Sequence, residues 1–196
     1  PISSGAPAAG RAAPARPTAP VTATERPSPA QAPVLRGRQV VLRPVTDADL
    51  PVLLAILEEP EVARWWRRAE WERVAGKDAV TFAIVVDGVV RGCIQYTEEA
   101  DPDYRAAAVD IFVSAAAQGR GVGRDAMRTL VAWLIEVRGH HRLTVDPAVD
   151  NRRAIHVYRG LGFRPVGVLR RYERVAEGVY RDALLMELLA EEFVRA

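Results

Sequence analysis

Apolar positions along the chain fall into short runs of two periods, broken by glycine, proline and acidic turns. Val40-Val41-Leu42 opens the first run and Pro44 stops it, which predicts a strand from Val40 to Val45. Thr46 suits a helix N-cap with Asp49 in the first turn, and Leu50, Leu53, Leu54 and Leu57 recur at helical spacing. Pro60 fits the first turn of a second short helix carrying Val62, Trp65 and Trp66. A hairpin follows, with Ala79 to Val86 and Val89 to Tyr96 joined by the tight-turn pair Asp87-Gly88. Ala107 to Val113 reads as a further strand. A glycine-rich loop, Gln118 to Gly123, then leads into a helix over Arg124 to Arg138, closed by Gly139. Arg142 to Val145, Phe163 to Leu169 and Val179 to Leu188 read as strands. Asn151 to Leu161 reads as a helix and Glu191 to Ala196 as a short helical end. This β-α-α-β-β-β-α-β-α-β-β order predicts an α/β (α+β) domain over residues 36–196, a mixed sheet with helices on both faces.

Composition adds a boundary and some exclusions. Residues 1–35 are rich in Ala and Pro and hold few large apolar side chains, so they read as a disordered or polyproline-like tail. Net charge is only +2, Lys77 is the sole lysine, and no basic run is interleaved with aromatics. Nucleic acid is therefore not the expected partner. No apolar stretch approaches the ~20 residues of a membrane span. The first residues lack the apolar core of a secretory signal, so a cytoplasmic protein, monomer or homodimer, is the expectation. A single cysteine, Cys93, rules out an intramolecular disulfide and reads as a small core residue. His140-His141 lacks neighbouring ligands, so no metal is expected.

The chemistry concentrates in the loop Gln118-Gly119-Arg120-Gly121-Val122-Gly123, between a strand and a helix. Glycines there let backbone approach a ligand, and backbone N–H groups at a helix N-terminus bind anions. Arg120, Arg124 and Arg128 can add charge-assisted contacts, so a phosphorylated ligand is the physical expectation. A P-loop needs Gly-Lys-Ser/Thr, whereas Gly123-Arg124-Asp125 stands here. A dinucleotide fingerprint fits Gly121-x-Gly123-x-x-Ala126, but that loop opens directly after its strand, and here Ser114 to Arg120 intervene. A turn that binds nothing also remains.

Two motifs together decide among these. Gln118-x-x-Gly121-x-Gly123 resembles the Gln/Arg-x-x-Gly-x-Gly/Ala signature of the GNAT acetyltransferases. Asn151-Arg152-Arg153-Ala154-Ile155-His156-Val157-Tyr158-Arg159-Gly160-Leu161-Gly162-Phe163 resembles the Asn-x-x-Ala-x-x-x-Tyr-x-x-x-Gly-Phe segment of that superfamily. The resemblance covers about residue 38 onward. It implies a mostly antiparallel sheet of six to seven strands with a splayed central parallel pair, and acetyl-CoA as co-substrate. Ile111, Phe112 and Val113 would hold the pantetheine arm like an added strand. The amides of Gln118, Gly119, Arg120, Gly121, Val122, Gly123 and Arg124 would hold the pyrophosphate. Asn151 and Ala154 would contact the arm, and Tyr158 would sit by the thioester sulfur.

Acetyl transfer to nitrogen needs a neutral amine, a polarised carbonyl and a proton for the leaving thiolate. Asp110, an acid inside an apolar strand, is the candidate base, with Tyr158 the candidate acid. For the acceptor, Leu42-Arg43-Pro44-Val45-Thr46-x-x-Asp49-Leu50 and Val62-Ala63-Arg64-Trp65-Trp66 resemble the opening of aminoglycoside 6′-N-acetyltransferases. So do Asp101-Pro102-x-x-Arg105 and Asp146-Pro147-x-x-x-Asn151. That likeness implies an acceptor site of Trp65, Trp66, Glu98, Asp101, Asp110 and Asp146, and carboxylates suit a polycation. Arg67-Arg68 departs from the glycines of that subfamily. A protein N-terminus or lysine, or a siderophore hydroxylysine, would suit the same cleft, and a non-catalytic acetyl-CoA-binding domain is the alternative of another class.

Overall fold

The computed structural model describes residues 32–67, 79–99 and 101–195. The tail up to residue 31, Arg68 and Ala196 lie outside the described residues. The elements are β1 (Leu35–Arg36), β2 (Val41–Pro44), α1 (Leu50–Leu57), α2 (Pro60–Ala63), β3 (Ala79–Val86), β4 (Val89–Glu98) and β5 (Ala107–Val113), followed by α3 (Val122–Glu136), β6 (Arg142–Val145), α4 (Arg152–Arg159), β7 (Arg164–Ala176) and β8 (Val179–Leu189). Among the described residues the strands form one sheet in the order β1-β2-β3-β4-β5-β6-β8-β7, antiparallel throughout except for β5 and β6.

Three expectations are corrected. The sheet has eight strands rather than six or seven, because Leu35 pairs with Leu42 ahead of the first expected strand. The described fold thus takes in residues assigned to the tail, and Ala32 is itself buried. The strand from residue 164 runs on to Ala176, since β8 continues to supply partners up to Val179. The chain end forms a single 3-10 turn, Ala190–Glu192, in place of a helix.

Helices cover both faces. Ile84, Ile94, Tyr96 and Val109 pack with Met127, Leu130, Val131 and Leu134 of α3 and Ile155 of α4. On the opposite face Cys93 and Phe112 pack with Leu53, Ile56 and Leu57 of α1 and Val62 of α2. Buried ions anchor the edges. The Asp125 carboxylate, in the first turn of α3, accepts from the N–H groups of Arg38, Gln39 and Val40 at 2.8–3.2 Å, which fastens the entry to β2. Arg43 pairs with Asp49 at 2.7 Å, and that carboxylate also accepts from the Thr46 N–H and hydroxyl. The Arg43 bond holds the Asp49 carboxyl well below the usual carboxylate range despite its burial.

The features that position the site lie in the middle of the sheet. β5 and β6 pair only at Ala107–Leu143 and Ala108–Thr144, then part. Each stays with its antiparallel partner. β5 follows β4 to its end, where the Ser114 N–H donates to the Arg91 carbonyl at 2.7 Å. The chain after β6 keeps to β8, since the Pro147 carbonyl accepts from Leu184 N–H at 2.8 Å and Ala148 bridges to Ala183. A bulge in β4 opposite Ile84 and Val85 bends the first pair. Gly92 beside it is obligatory, because a Cβ there would overlap the Phe112 carbonyl.

Glu98 closes the other end of β4. Its carboxylate meets Arg138 Nη2 at 3.1 Å and His140 Nε2 at 2.8 Å, all three side chains nearly inaccessible. Burial alone would raise its pKa. The bonds from His140 and Arg138 outweigh burial and hold it at about 2. A carboxylate depressed from 4.5 contributes about 3 kcal/mol at neutral pH, which disappears as pH falls from 4.5 toward 2. Glu98→Gln is therefore expected to lower stability by about 2–4 kcal/mol at pH 7 and to flatten the loss of Tm between pH 5 and 3. A variant whose melting still falls as steeply as the parent's over that range would contradict this.

Candidate active site

The gap between β5 and β6 opens into a cavity of about 780 Å³. The hydrogen-bond phase of β5 determines what the gap exposes. With Ser114 bonded to Arg91, alternation turns the backbone of Phe112 and Asp110 toward β4. The backbone groups of Ile111 and Val113 turn the other way, into the gap that β6 has left. Their carbonyls are met by side chains of the chain itself. Trp66 Nε1 donates to Ile111 O at 3.1 Å and Gln118 Nε2 donates to Val113 O at 2.9 Å. The gap thus presents the two N–H groups, while each carbonyl has one lone pair already engaged. An arm lying there would meet donors first, rather than the full alternation of an added strand.

Next to the gap, α3 begins abruptly. Its N-cap, Gly121, has φ 82°, a left-handed conformation natural to glycine. The turn leaves the N–H groups of Val122, Gly123 and Arg124 without intrahelical partners, a donor cluster at a helix N-terminus. Gly119, Gly121, Gly123 and Arg124 line the cavity. At three loop positions the side chain plays a part of its own. The Gln118 N–H is bonded within the loop, to the Ser114 carbonyl at 3.1 Å, so Gln118 acts through its side chain. That side chain is held by Arg153, whose Nη1 donates to Oε1 at 2.5 Å. Val122 is buried in the core, and the Arg120 side chain does not line the cavity. Asn151 lines the cavity, but its Oδ1 caps α4 by accepting from the Ala154 N–H at 3.1 Å. Its amide nitrogen is the group left for a ligand. Ala154 and Tyr158 line the same cavity.

Electrostatics link the two groups expected to react, Asp110 and Tyr158. Burial pushes the Tyr158 hydroxyl far above its ordinary pKa, and the charges of Asp110 and Asp146 push it further. Cys93 is raised by burial and then by the same Asp110 charge, which makes it a poor nucleophile. The Asp110 carboxylate is thus felt from both sides, at the point where the sheet opens.

Four of the six residues expected around the acceptor line the cavity: Trp65, Trp66, Asp110 and Asp146. The two tryptophans divide their roles. Trp66 packs edge-on against Phe112 with ring centroids 5.4 Å apart, besides holding Ile111. Trp65 packs against the guanidinium groups of Arg64 and Arg181, at 4.6 and 5.5 Å from its ring. Arg181 is itself neutralised by Glu173 and donates to the Arg64 carbonyl at 2.9 Å. The other two expected acids lie off the cavity. Glu98 is buried against Arg138 and His140 at the closed end of the sheet, and Asp101 accepts from the Asp103 N–H within its own exposed turn. Two acids that were not expected, Glu61 and Glu173, line the cavity, the latter paired with Arg181. Glu61 stands in the first turn of α2 four residues before Trp65, a spacing that could have pointed to it. Glu173 comes from the extended part of β7, which the sequence pattern cut short.

Comparison with known proteins identifies the family. The model of the acetyltransferase (GNAT) family matches residues 48–163. The chain belongs to the GNAT acetyltransferase family. Among characterised relatives, the spermidine N(1)-acetyltransferase of Escherichia coli K12 is 25% identical over 169 residues, covering 81% of this chain and 90% of that protein. The aminoglycoside N(6′)-acetyltransferase type 1 of Klebsiella pneumoniae is 27% identical over 155 residues, covering 66% and 76%. The solved spermidine N-acetyltransferase of Vibrio cholerae with CoA and spermine shares the fold, with TM-score 0.66 at 20% identity over 79% of this chain and 97% of that one. The protein is thus an N-acetyltransferase that uses acetyl-CoA. The residues present suit that co-substrate: strand donors for an amide arm, and helix N–H groups with Arg124 and Arg153 for phosphates. Saturating acetyl-CoA is expected to raise Tm by several degrees, and Gly121→Val to remove most of that shift, because a β-branched residue resists the left-handed N-cap. An undiminished shift in the variant would show that the α3 N-terminus holds no part of the ligand.

Proposed function

We propose that this acetyltransferase acts on the primary amine of a small polycation, a linear polyamine or an aminoglycoside. The observation that supports the reading is the gathering of Asp110, Asp146 and Glu61 on one cavity with Tyr158. Of the arginines that line the cavity, Arg181 is paired with Glu173, and Arg124 and Arg153 stand with the glycine loop, where phosphates would lie. Carboxylates on one wall concentrate a cationic amine and its neighbouring charges.

Acetyl-CoA supplies an activated acetyl thioester when bound. Asp110 takes a proton from the incoming ammonium and frees its lone pair. An N–H of Ile111 or Val113 donates to the carbonyl oxygen as charge builds there. The Tyr158 hydroxyl faces the leaving sulfur as a donor. Its raised pKa keeps it protonated but opposes complete transfer while Asp110 is charged. Proton uptake by Asp110 removes that opposition, so taking a proton from the amine makes Tyr158 a better acid at the moment the thiolate leaves.

The reading is tested by thiol release from acetyl-CoA with spermidine, kanamycin, tobramycin and an alanine-first peptide. The polycations are expected to exceed the peptide in kcat/KM by at least about tenfold. A peptide preference would overturn it. With the best amine, Asp110→Asn is expected to lower kcat by roughly 100-fold and Tyr158→Phe by roughly 10- to 100-fold, each leaving CoA affinity unchanged. Parallel losses of turnover and CoA binding would assign these residues to structure instead.

A further inference from the structure

Gln95 is a polar residue in the apolar run Cys93-Ile94-Gln95-Tyr96 of β4. It sits directly opposite Asp110 in the β4–β5 register, so the two side chains leave the sheet on the same face. It is 1% exposed and lines the cavity. Among the described residues, nothing partners either its Oε1 or its Nε2. A buried carboxamide with both ends unsatisfied is costly and rare, and a hydrophobic residue would pack there at no such cost. The chain keeps an unfilled donor and acceptor beside the one carboxylate placed to act as base.

We propose that Gln95 is a catalytic residue that receives the acceptor amine. This rests on the polycation reading above for its substrate, though not for the role of the carboxamide. The chemistry of the step explains why a neutral group stands there. The incoming ammonium gives one proton to Asp110, leaving two N–H bonds and a lone pair on the nitrogen. Gln95 Oε1 accepts one of those N–H bonds and so aims the lone pair at the acetyl carbon. A second carboxylate in that place would favour the charged ammonium and oppose the proton transfer, whereas an amide oxygen binds the neutral amine without holding its proton. Nε2 is left to donate to the Asp110 carboxylate or to a second polar group of the acceptor. The nitrogen forms its bond to carbon as the carbon–sulfur bond breaks, the thiolate takes the Tyr158 proton, and the extra proton on nitrogen leaves to solvent, from which Tyr158 is reprotonated.

Gln95→Leu keeps the volume and removes the unsatisfied groups. It is expected to leave Tm unchanged or raise it by about 2–5 °C. It is also expected to lower kcat by about 10- to 100-fold with the best amine of the panel, with CoA affinity unchanged. Stability and turnover moving in opposite directions is the signature of a group kept for the substrate. A fall in Tm would mean that the carboxamide is satisfied inside the protein, for example by a structural water, and would overturn the proposal whatever the amine. Turnover within about twofold of the parent would overturn it as well. Failure of the parent with every amine would sink the polycation reading instead, and the stability comparison would still decide the role of Gln95.

Discussion

Two parallel strands that separate after Ala108 and Thr144 leave a wound in the middle of a sheet, and the rest of this molecule is arranged around it. A sheet tolerates such a gap only if the exposed backbone finds other partners. Here each strand is held by its antiparallel neighbour, β5 by β4 and β6 by β8, so neither falls away. Pro147 brings no N–H that could close the gap. Trp66 and Gln118 take the two carbonyls, and the N–H groups of Ile111 and Val113 are left facing the cavity. That arithmetic of donors and acceptors suits an amide chain.

The gap also sorts the charges. At the closed end of the sheet, where no ligand enters, the acid Glu98 is matched by Arg138 and His140 and serves the fold. At the open end the carboxylates of Asp110 and Asp146 act on Tyr158 across low-dielectric surroundings and hold its proton in place. Carboxylates thus do opposite work some 12 residues apart, and what separates Glu98 from Asp110 is whether the sheet is open beside it. The tail of α2 connects the two halves of the open end. Trp66 reaches Ile111 of β5, while Trp65 packs against Arg64 and Arg181 on the same cavity.

Much of this was legible in the order of residues. The elements with clear periods, β3, β4, β5 and β6, lie where the alternation puts them, because local pattern and sheet burial agree there. The loop and the Asn151-to-Phe163 segment were legible because both are short chemical motifs with fixed spacing. The misreadings share a cause in long-range contact. Glu98 reads as an acceptor-site acid because its partners lie about 40 residues away, beyond any local window. The short β1 carries no period of its own and exists through pairing with β2. Trp65 and Trp66 are indistinguishable in sequence, and only the reach of one ring to Phe112 separates them. Gln95 offered a signal, a polar side chain on the buried face of a strand, and it was read as part of a hairpin.

The central claim is that the N–H groups of Ile111 and Val113, unpaired at the splay, are where acetyl-CoA docks. Amide hydrogen exchange, resolved residue by residue with and without saturating CoA, tests it most directly. The account predicts that these two amides exchange quickly in the free protein, although their neighbours Asp110 and Phe112 are protected, and that CoA slows both by at least about tenfold. Tight CoA binding that left the exchange of Ile111 and Val113 unchanged would contradict it.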